Sequence, residues 1–531
     1  MILVFLHLVA CALVFVASTE DLSIPPSLKF GVATAAYQVE GAWNISGKGE
    51  SIWDHFTHSH PERIEDRSNG DIACDSFRHY KKDIQLVKSL GLDFYRFSIS
   101  WPRLMPTGFP NNISEDGIRF YSNIIDELLR NGIEPLVTMY HWDLPQTLQD
   151  YGGWTNPLIA DWFADYARLV YSLYADRVKT WLTINEPLIH CDLAYNTGLL
   201  APGIRDREHM GYHCAKYTLI AHAKAWRIYD EEFKPKYHGK VSIANQLIWQ
   251  EPLSPKYNEL GDFANQYMNG RYAHPIYSKE GGWPPGIERL ISKNSKDQGY
   301  TRSRLPPFTQ EEIKLVRGTY DFFAFNHYTS RVVYPARAGD FLEPFPLEGV
   351  PELNVKMDIR PDWKYGASKI LPVYPEGIRK MLSWVVQQYG PMDFLITECG
   401  YSSSGAEIND NERIEFIRDY LEQVLLAIKE DGVNVTGFTY WTLIDNFEWF
   451  SGYRTKFGLY QVDFSSPLRT RTPRKSALYY RSVVASRTLQ LTPIPDLDEA
   501  ALTNLSTTNH LQYWRTLIYF IVSLVSILSL G

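Results

Sequence analysis

The stretch Asp83-Ile84-Gln85-Leu86-Val87-Lys88-Ser89-Leu90-Gly91-Leu92-Asp93-Phe94-Tyr95-Arg96-Phe97-Ser98-Ile99 reads as a helix followed by a strand. Ile84, Val87 and Leu90 recur at helical spacing, and Gly91 is the residue best suited to the left-handed turn that ends a helix. Phe94–Ile99 is then a short run of β-prone residues. The alternation recurs along the chain. Candidate strands are Phe30–Ala35, Phe94–Ile99, Pro135–Met139, Val178–Ile184, Val241–Gln246, Phe322–Asn326, Phe394–Thr397 and Val435–Tyr440, eight in all. Most are continuous apolar or β-branched runs, as strands covered on both faces should be. Helical patterns separate them, among them Ile118–Leu129, closed by Asn131-Gly132, and the longer Pro157–Tyr174 and Asn411–Lys429. Eightfold alternation in one block predicts an α/β fold, a (β/α)8 TIM barrel, with a doubly wound open sheet as the alternative. Ala336–Lys369, irregular and rich in Pro and Gly, reads as a long loop near the barrel mouth.

No repeat or linker interrupts this block, so residues 25–491 are expected to form one domain. The flanks differ. Residues 1–18 are almost wholly apolar and end in Val16-Ala17-Ser18, a small-residue site that fits a signal peptide. Residues 492–516 read as a polar spacer and 517–531 as a hydrophobic tail. Their order matches a glycolipid-anchor signal, with a single C-terminal span as the alternative. The flanks together predict the secretory pathway, ending at the extracellular face of the cell membrane or in the medium. Glycosylation sequons at Asn44, Asn112, Asn434 and Asn504 fit that route.

A net charge of −8 with no long basic run excludes nucleic acid as a partner. Outside the leader, the cysteines are Cys74, Cys191, Cys214 and Cys399, and no pair has metal-ligand spacing. Cys191 with Cys214 is the pairing suggested by proximity alone, and the connectivity stays open. Aromatic residues make up 14% of the chain. That suits a core, and it also suits a sugar site, where rings stack on the flat C–H face of a pyranose.

Two candidate strands end in a glutamate: Thr183-Ile184-Asn185-Glu186-Pro187 closes the fourth and Ile396-Thr397-Glu398-Cys399-Gly400 the seventh. In a barrel, active sites form at the C-terminal ends of the strands, and the fourth and seventh lie nearly opposite each other. Paired carboxylates across a barrel mouth suit glycoside hydrolysis. One protonates the leaving oxygen, and the other attacks the anomeric carbon or activates water.

Several further motifs accompany the glutamates. They are Phe30-Gly31-Val32-Ala33-Thr34-Ala35-Ala36-Tyr37-Gln38-Val39-Glu40-Gly41, Tyr95-Arg96-Phe97-Ser98-Ile99-Ser100-Trp101, His141-Trp142-Asp143-Leu144-Pro145, Asn326-His327-Tyr328 and Tyr440-Trp441-Thr442-Leu443-Ile444-Asp445-Asn446-Phe447-Glu448-Trp449. With these the chain closely resembles glycoside hydrolase family 1, the β-glucosidase family, and within it the secreted animal branch of lactase-like and myrosinase-like β-glucosidases. The resemblance implies a retaining β-glycosidase acting on terminal β-D-glucosyl residues, with galactosyl and fucosyl left open. It implies Glu186 as acid/base and Glu398 as nucleophile, supported by Arg96, Asn185 and Tyr328. It places Gln38, His141, Trp142, Asn185, Tyr328, Trp441, Glu448, Trp449 and Phe457 around the sugar. No metal or organic cofactor is implied, the partners are small β-glycosides, and the oligomeric state is left open.

The family usually has Asn after the nucleophile, where this chain has Cys399. A thiol is a weak donor and acceptor, so altered support of that loop is expected rather than loss of activity. The alternatives are a myrosinase-like thioglucosidase and a klotho-like, non-catalytic glycan-binding or receptor protein. Both glutamates and their supports are present, which disfavours the receptor. A phospho-β-glycosidase is disfavoured because Glu448 would repel a 6-phosphate.

Overall fold

The computed structural model describes residues 22–498 apart from 207, 344–346, 406 and 492. Its centre is a closed parallel barrel. The strands are β1 (Lys29–Ala33), β2 (Phe94–Ser98), β3 (Glu134–Tyr140), β4 (Thr180–Asn185), β5 (Lys240–Gln246), β6 (Phe323–Asn326), β7 (Phe394–Cys399) and β8 (Val435–Trp441). Each pairs in parallel with its neighbour in sequence, and β1 closes the ring against β8 through pairs such as Phe30 with Phe438. Every predicted strand contributes one barrel strand, with ends shifted by a residue or two, so the open-sheet alternative is set aside.

The helices form for the reasons their sequences suggest. Ser76–Leu90 buries Ile84, Val87 and Leu90 on one face and stops at Gly91, whose φ of 72° favours glycine. Glu115–Arg130 starts at Ser114, whose Oγ accepts from the Gly117 N–H at 3.1 Å, satisfying a donor the helix leaves free. Each fully buried aliphatic side chain on such a face is worth about 1.5–3 kcal/mol.

Inside the barrel, side chains two apart on a strand share a face. Phe94 and Leu136 therefore stack below Arg96 and Thr138. Phe94, Leu136, Leu182, Ala244, Phe322, Ala324 and Leu395 form a buried apolar plug at the N-terminal end. The polar interior begins one layer above it, towards the strands' C-terminal ends.

Ala336–Lys369 differs from the expected plain loop. Val355–Asp358 runs antiparallel to Ser330–Pro335 and to Gly349–Val350, and Ser330–Pro335 also pairs with Trp249–Pro252. This small sheet grows from the segments that leave β5 and β6. Its strands are two to six residues long, too short to show a period in sequence.

Cys191 and Cys214 are joined as a disulfide with their Cα atoms 5.5 Å apart. It ties the segment just after Glu186 to the helix Met210–Ile228. Cys74 and Cys399 are free and buried.

The fold class needs one correction. What the structure shows is the barrel alone: among the described residues no helix is long and apolar enough to cross a membrane. The expected signal peptide at 1–18 and hydrophobic tail at 517–531 lie outside the described residues, as does most of the 492–516 spacer. The expectation of a membrane-held form finds no support in any described helix and is not carried further.

Candidate active site

Two strands reach the site through a local irregularity. The pairing of β4 with β5 slips between Leu182 and Asn185, and that of β7 with β6 slips between Ile396 and Glu398. Such bulges re-aim the side chains that follow. Glu186 then sits at φ 47°, a left-handed conformation uncommon for a side-chain-bearing residue, and Pro187 begins the next short helix. Trp142 and Trp449 also have positive φ, at 73° and 53°. Three of the left-handed side-chain-bearing residues thus stand at the site.

The glutamates are held by different partners. Glu398 accepts from Arg96 Nη1 at 2.6 Å through Oε1 and from the Tyr328 hydroxyl at 2.7 Å through Oε2. Arg96 is itself fixed on four sides. Nε donates to Thr138 Oγ1 at 3.0 Å, Nη1 also donates to the Thr397 carbonyl at 2.9 Å, and Nη2 donates to Asn185 Oδ1 at 2.6 Å. Glu186 instead accepts from Asn326 Nδ2 at 2.8 Å. The same Nδ2 reaches Asn185 Oδ1 at 3.1 Å, and Asn326 Oδ1 accepts from Thr397 Oγ1 at 2.6 Å. Asn185 lies 3.1 Å from His141 Nε2 through its Nδ2.

Above this network lies a cavity of about 160 Å3. Its walls include His141, Trp142, Glu186, Tyr328, Glu398, Trp441, Glu448, Trp449 and Phe457. His141 stacks between Trp441 and Trp449, with centroids 5.8 and 6.0 Å away. Trp142 packs on Trp449 at 4.5 Å and donates from Nε1 to the Asn185 carbonyl at 3.0 Å. Gln38 stands behind Glu448, donating to its Oε2 at 3.3 Å, and the buried Gln38 Oε1 is free to accept. All of the sequence-predicted site residues meet at this one mouth. Gln38, Arg96 and Asn185 lie behind the lining rather than on it. Cys399 belongs to the main hydrophobic cluster, away from the cavity wall.

Burial sets the protonation states. Desolvation raises Glu186 well above the usual carboxylate range, and the nearby Glu398 charge raises it further, against the pull of Asn326 and Arg96. Desolvation raises Glu398 too, but the Arg96 charge and the Tyr328 hydroxyl hold it back. The proton of the pair therefore belongs on Glu186. Glu448 is pushed up to about 8 by desolvation and by Glu398. Desolvation, helped by Arg96, lowers His141 well below its ordinary value and keeps it neutral.

Asn326 was missed as a site residue, although its motif was read. It is a strand-end asparagine, and only the barrel's closure shows that it bridges Asn185, Glu186 and Thr397. Thr138 escaped notice for the same reason.

Comparison with known proteins agrees with this geometry. Residues 21–489 match the model of glycosyl hydrolase family 1. The chain is 45% identical to Myrosinase 1 from Brevicoryne brassicae over 482 residues, covering 88% of this chain and 99% of that protein. The solved structure of aphid myrosinase superposes with a TM-score of 0.83 at 45% identity, over 87% of this chain and 99% of that one. A rice β-glucosidase variant, solved in a covalent complex with glucose, gives 0.80 at 34% identity, over 88% of this chain and 99% of that one.

Proposed function

The chain belongs to glycosyl hydrolase family 1, and from that premise we propose that Glu186 is the acid/base and Glu398 the nucleophile of its reaction. It is a retaining β-glycosidase acting on β-glucosides. Glu398 attacks the anomeric carbon while Glu186 gives its proton to the departing glycosidic oxygen, and a glycosyl-enzyme ester forms. Glu186, now ionised, takes a proton from water as the water oxygen displaces Glu398. Two inversions leave the anomeric configuration unchanged.

The observation that carries the assignment is the unequal environment of the two carboxyls. Arg96 and Tyr328 stabilise charge on Glu398, whereas Glu186 gains only an amide donor and faces its partner's charge. In this reading the glycone is gripped by Gln38, His141, Asn185 and Glu448, with Trp441 as stacking floor, Trp142 and Trp449 beside it and Phe457 as outer wall. The catalytic unit is 25–491, which the family match over 21–489 supports. The finer placement, among animal lactase-like and myrosinase-like enzymes, is supported by the identity to the aphid protein. Chromogenic β-glucoside, β-galactoside and β-fucoside, offered to wild type and Glu398→Gln, test the scheme. Hydrolysis by wild type and none by the variant is expected, and equal activity of the two would refute it.

A second reading is favoured by the 45% identity to a myrosinase: cleavage of S-linked β-glucosides. A thiolate leaves without a proton, so Glu186→Ala would spare kcat/KM for S-glucosides, which reports the first step, while lowering it for O-glucosides. Equal slowing of both would exclude this route.

A further inference from the structure

Buried arginines in this protein are paired with acids: Arg96 with Glu398, Arg103 with Glu40, Arg271 with Asp192, Arg413 with Asp410 and Arg474 with Asp445. Arg331 differs. It is 1% exposed, and its guanidinium donates to uncharged oxygens only: Ser330 O at 2.8 Å, Thr329 Oγ1 at 3.1 Å, Ile370 O at 2.7 Å and Leu347 O at 3.3 Å. Burying a cation with no carboxylate bonded to it is costly, and it persists where hydrogen bonds from its surroundings compensate, here with only the more distant pull of Tyr365 and Asp358 beside them. Burial moves its pKa down to about 10, so it remains charged near neutral pH.

The acceptors share one location. Thr329, Leu347 and Ile370 all line the catalytic cavity. They come from three separate segments: the exit of β6, the turn before the strand Gly349–Val350, and the stretch before Pro372. Leu347 has φ 69°, a left-handed conformation that its side chain disfavours and that needs an external hold. Thr329 Oγ1 extends the tie to the Pro372 carbonyl at 3.0 Å. Together with Ile189, Leu193, Ile248 and Leu371, Leu347 and Ile370 make this part of the lining apolar, and among the described residues no lysine or arginine lines the cavity.

We propose that Arg331 is a positioning residue for leaving-group selection: it clamps Thr329, Leu347 and Ile370 into the wall against which an apolar, uncharged aglycone packs. The inference rests on the glycosidase reading above, with the glycone held by other residues of the same cavity. A planar fork spreads five N–H donors over three nitrogens and so reaches carbonyls set well apart, whereas an ammonium's three donors radiate from one atom and a thioether has none.

The test compares kcat and KM for octyl and methyl β-glucoside in wild type, Arg331→Met and Arg331→Lys. The octyl-to-methyl ratio of kcat/KM should fall about tenfold in both variants, as a rise in KM for octyl glucoside. In Arg331→Ala, added guanidinium ion should recover part of the ratio, with potassium ion as control. A folded variant that keeps the wild-type ratio, or that loses both substrates by one factor, overturns the clamp. If no variant folds, wild type alone decides. It should prefer octyl glucoside to a carboxylate-ended alkyl glucoside by tenfold or more in KM, and equal KM values overturn the apolar wall. Wild type inert on every β-glucoside would count against the glycosidase reading instead.

Discussion

The two sides of the catalytic cavity are built differently. On the sugar side, residues on and just beyond the barrel strands bond side chain to side chain: Arg96 to Glu398 and Asn185, Asn326 to Glu186 and Asn185. In the rest of the lining, loop segments present apolar side chains, and the backbone carbonyls of Leu347 and Ile370 converge on Arg331. A sheet fixes its strand ends to each other through many ladder bonds, so charged atoms can be placed closely. Loops have no such ladder and take their shape from a few contacts. Chemistry and selectivity therefore rest on separate supports, and one can change without the other.

The sharpest way to break this division is to remove the nucleophile. Glu398→Gly should abolish hydrolysis of every glycoside, whatever its aglycone. Azide should then restore turnover and yield the α-glycosyl azide, because the anion attacks from the vacated side. A β-azide, or no rescue in a folded variant, would place the nucleophile elsewhere.

Next in size is Glu186→Ala. Alkyl O-glucosides, whose leaving group needs a proton, should slow by about 10²–10⁴, and activated aryl glucosides far less. Steady-state kinetics on both classes checks it, and a uniform loss would contradict the role. Here the sugar side does respond to the leaving group, but to its basicity rather than to its shape.

A smaller effect is expected at Asn326. Its amide donates to Glu186 and favours the ionised form. Asn326→Ala should raise the Glu186 pKa further, moving the alkaline limb of kcat/KM to higher pH. A lost hydrogen bond to a charged group, about 1.5–3 kcal/mol, corresponds to a loss of tenfold or more. An alkaline limb that stays in place, or moves down, would show that the bond does not tune the proton donor.

The smallest effect concerns stability. Glu448 is raised from 4.5 to about 8, so between those values the folded protein holds a proton that the unfolded chain has lost. By linkage this contribution falls as pH rises through that window. Glu448→Gln removes it, so the drop in Tm from pH 5 to pH 8 should be shallower than in wild type. Parallel Tm profiles would mean that Glu448 titrates in its ordinary range.

Legibility in sequence followed the same division. Strand-end residues stand at fixed places in an alternating pattern, so Glu186 and Glu398 could be named from chain position, whereas Arg96 and Tyr328 were named through the family resemblance. The bridging role of Asn326 could not, because it depends on which strands become neighbours on closure. The wall was illegible for a different reason. Leu347 and Ile370 carry no pattern of their own, and Arg331 sits in a short apolar strand where nothing marks it as a tie between distant carbonyls. Cys399 stood out as a departure beside Glu398, yet its side chain belongs to the packed core.

The apolar plug at the N-terminal end of the barrel, from Phe94 round to Leu395, has a consequence for traffic. A pocket sealed at its base has one doorway, and the sugar enters first and lies deepest. The leaving group is nearer the exit and must depart before the sugar can. Only chain-end units can be seated, one per visit, and the released sugar blocks the next arrival until it diffuses out. The order of departure is fixed by a handful of side chains that never touch the substrate.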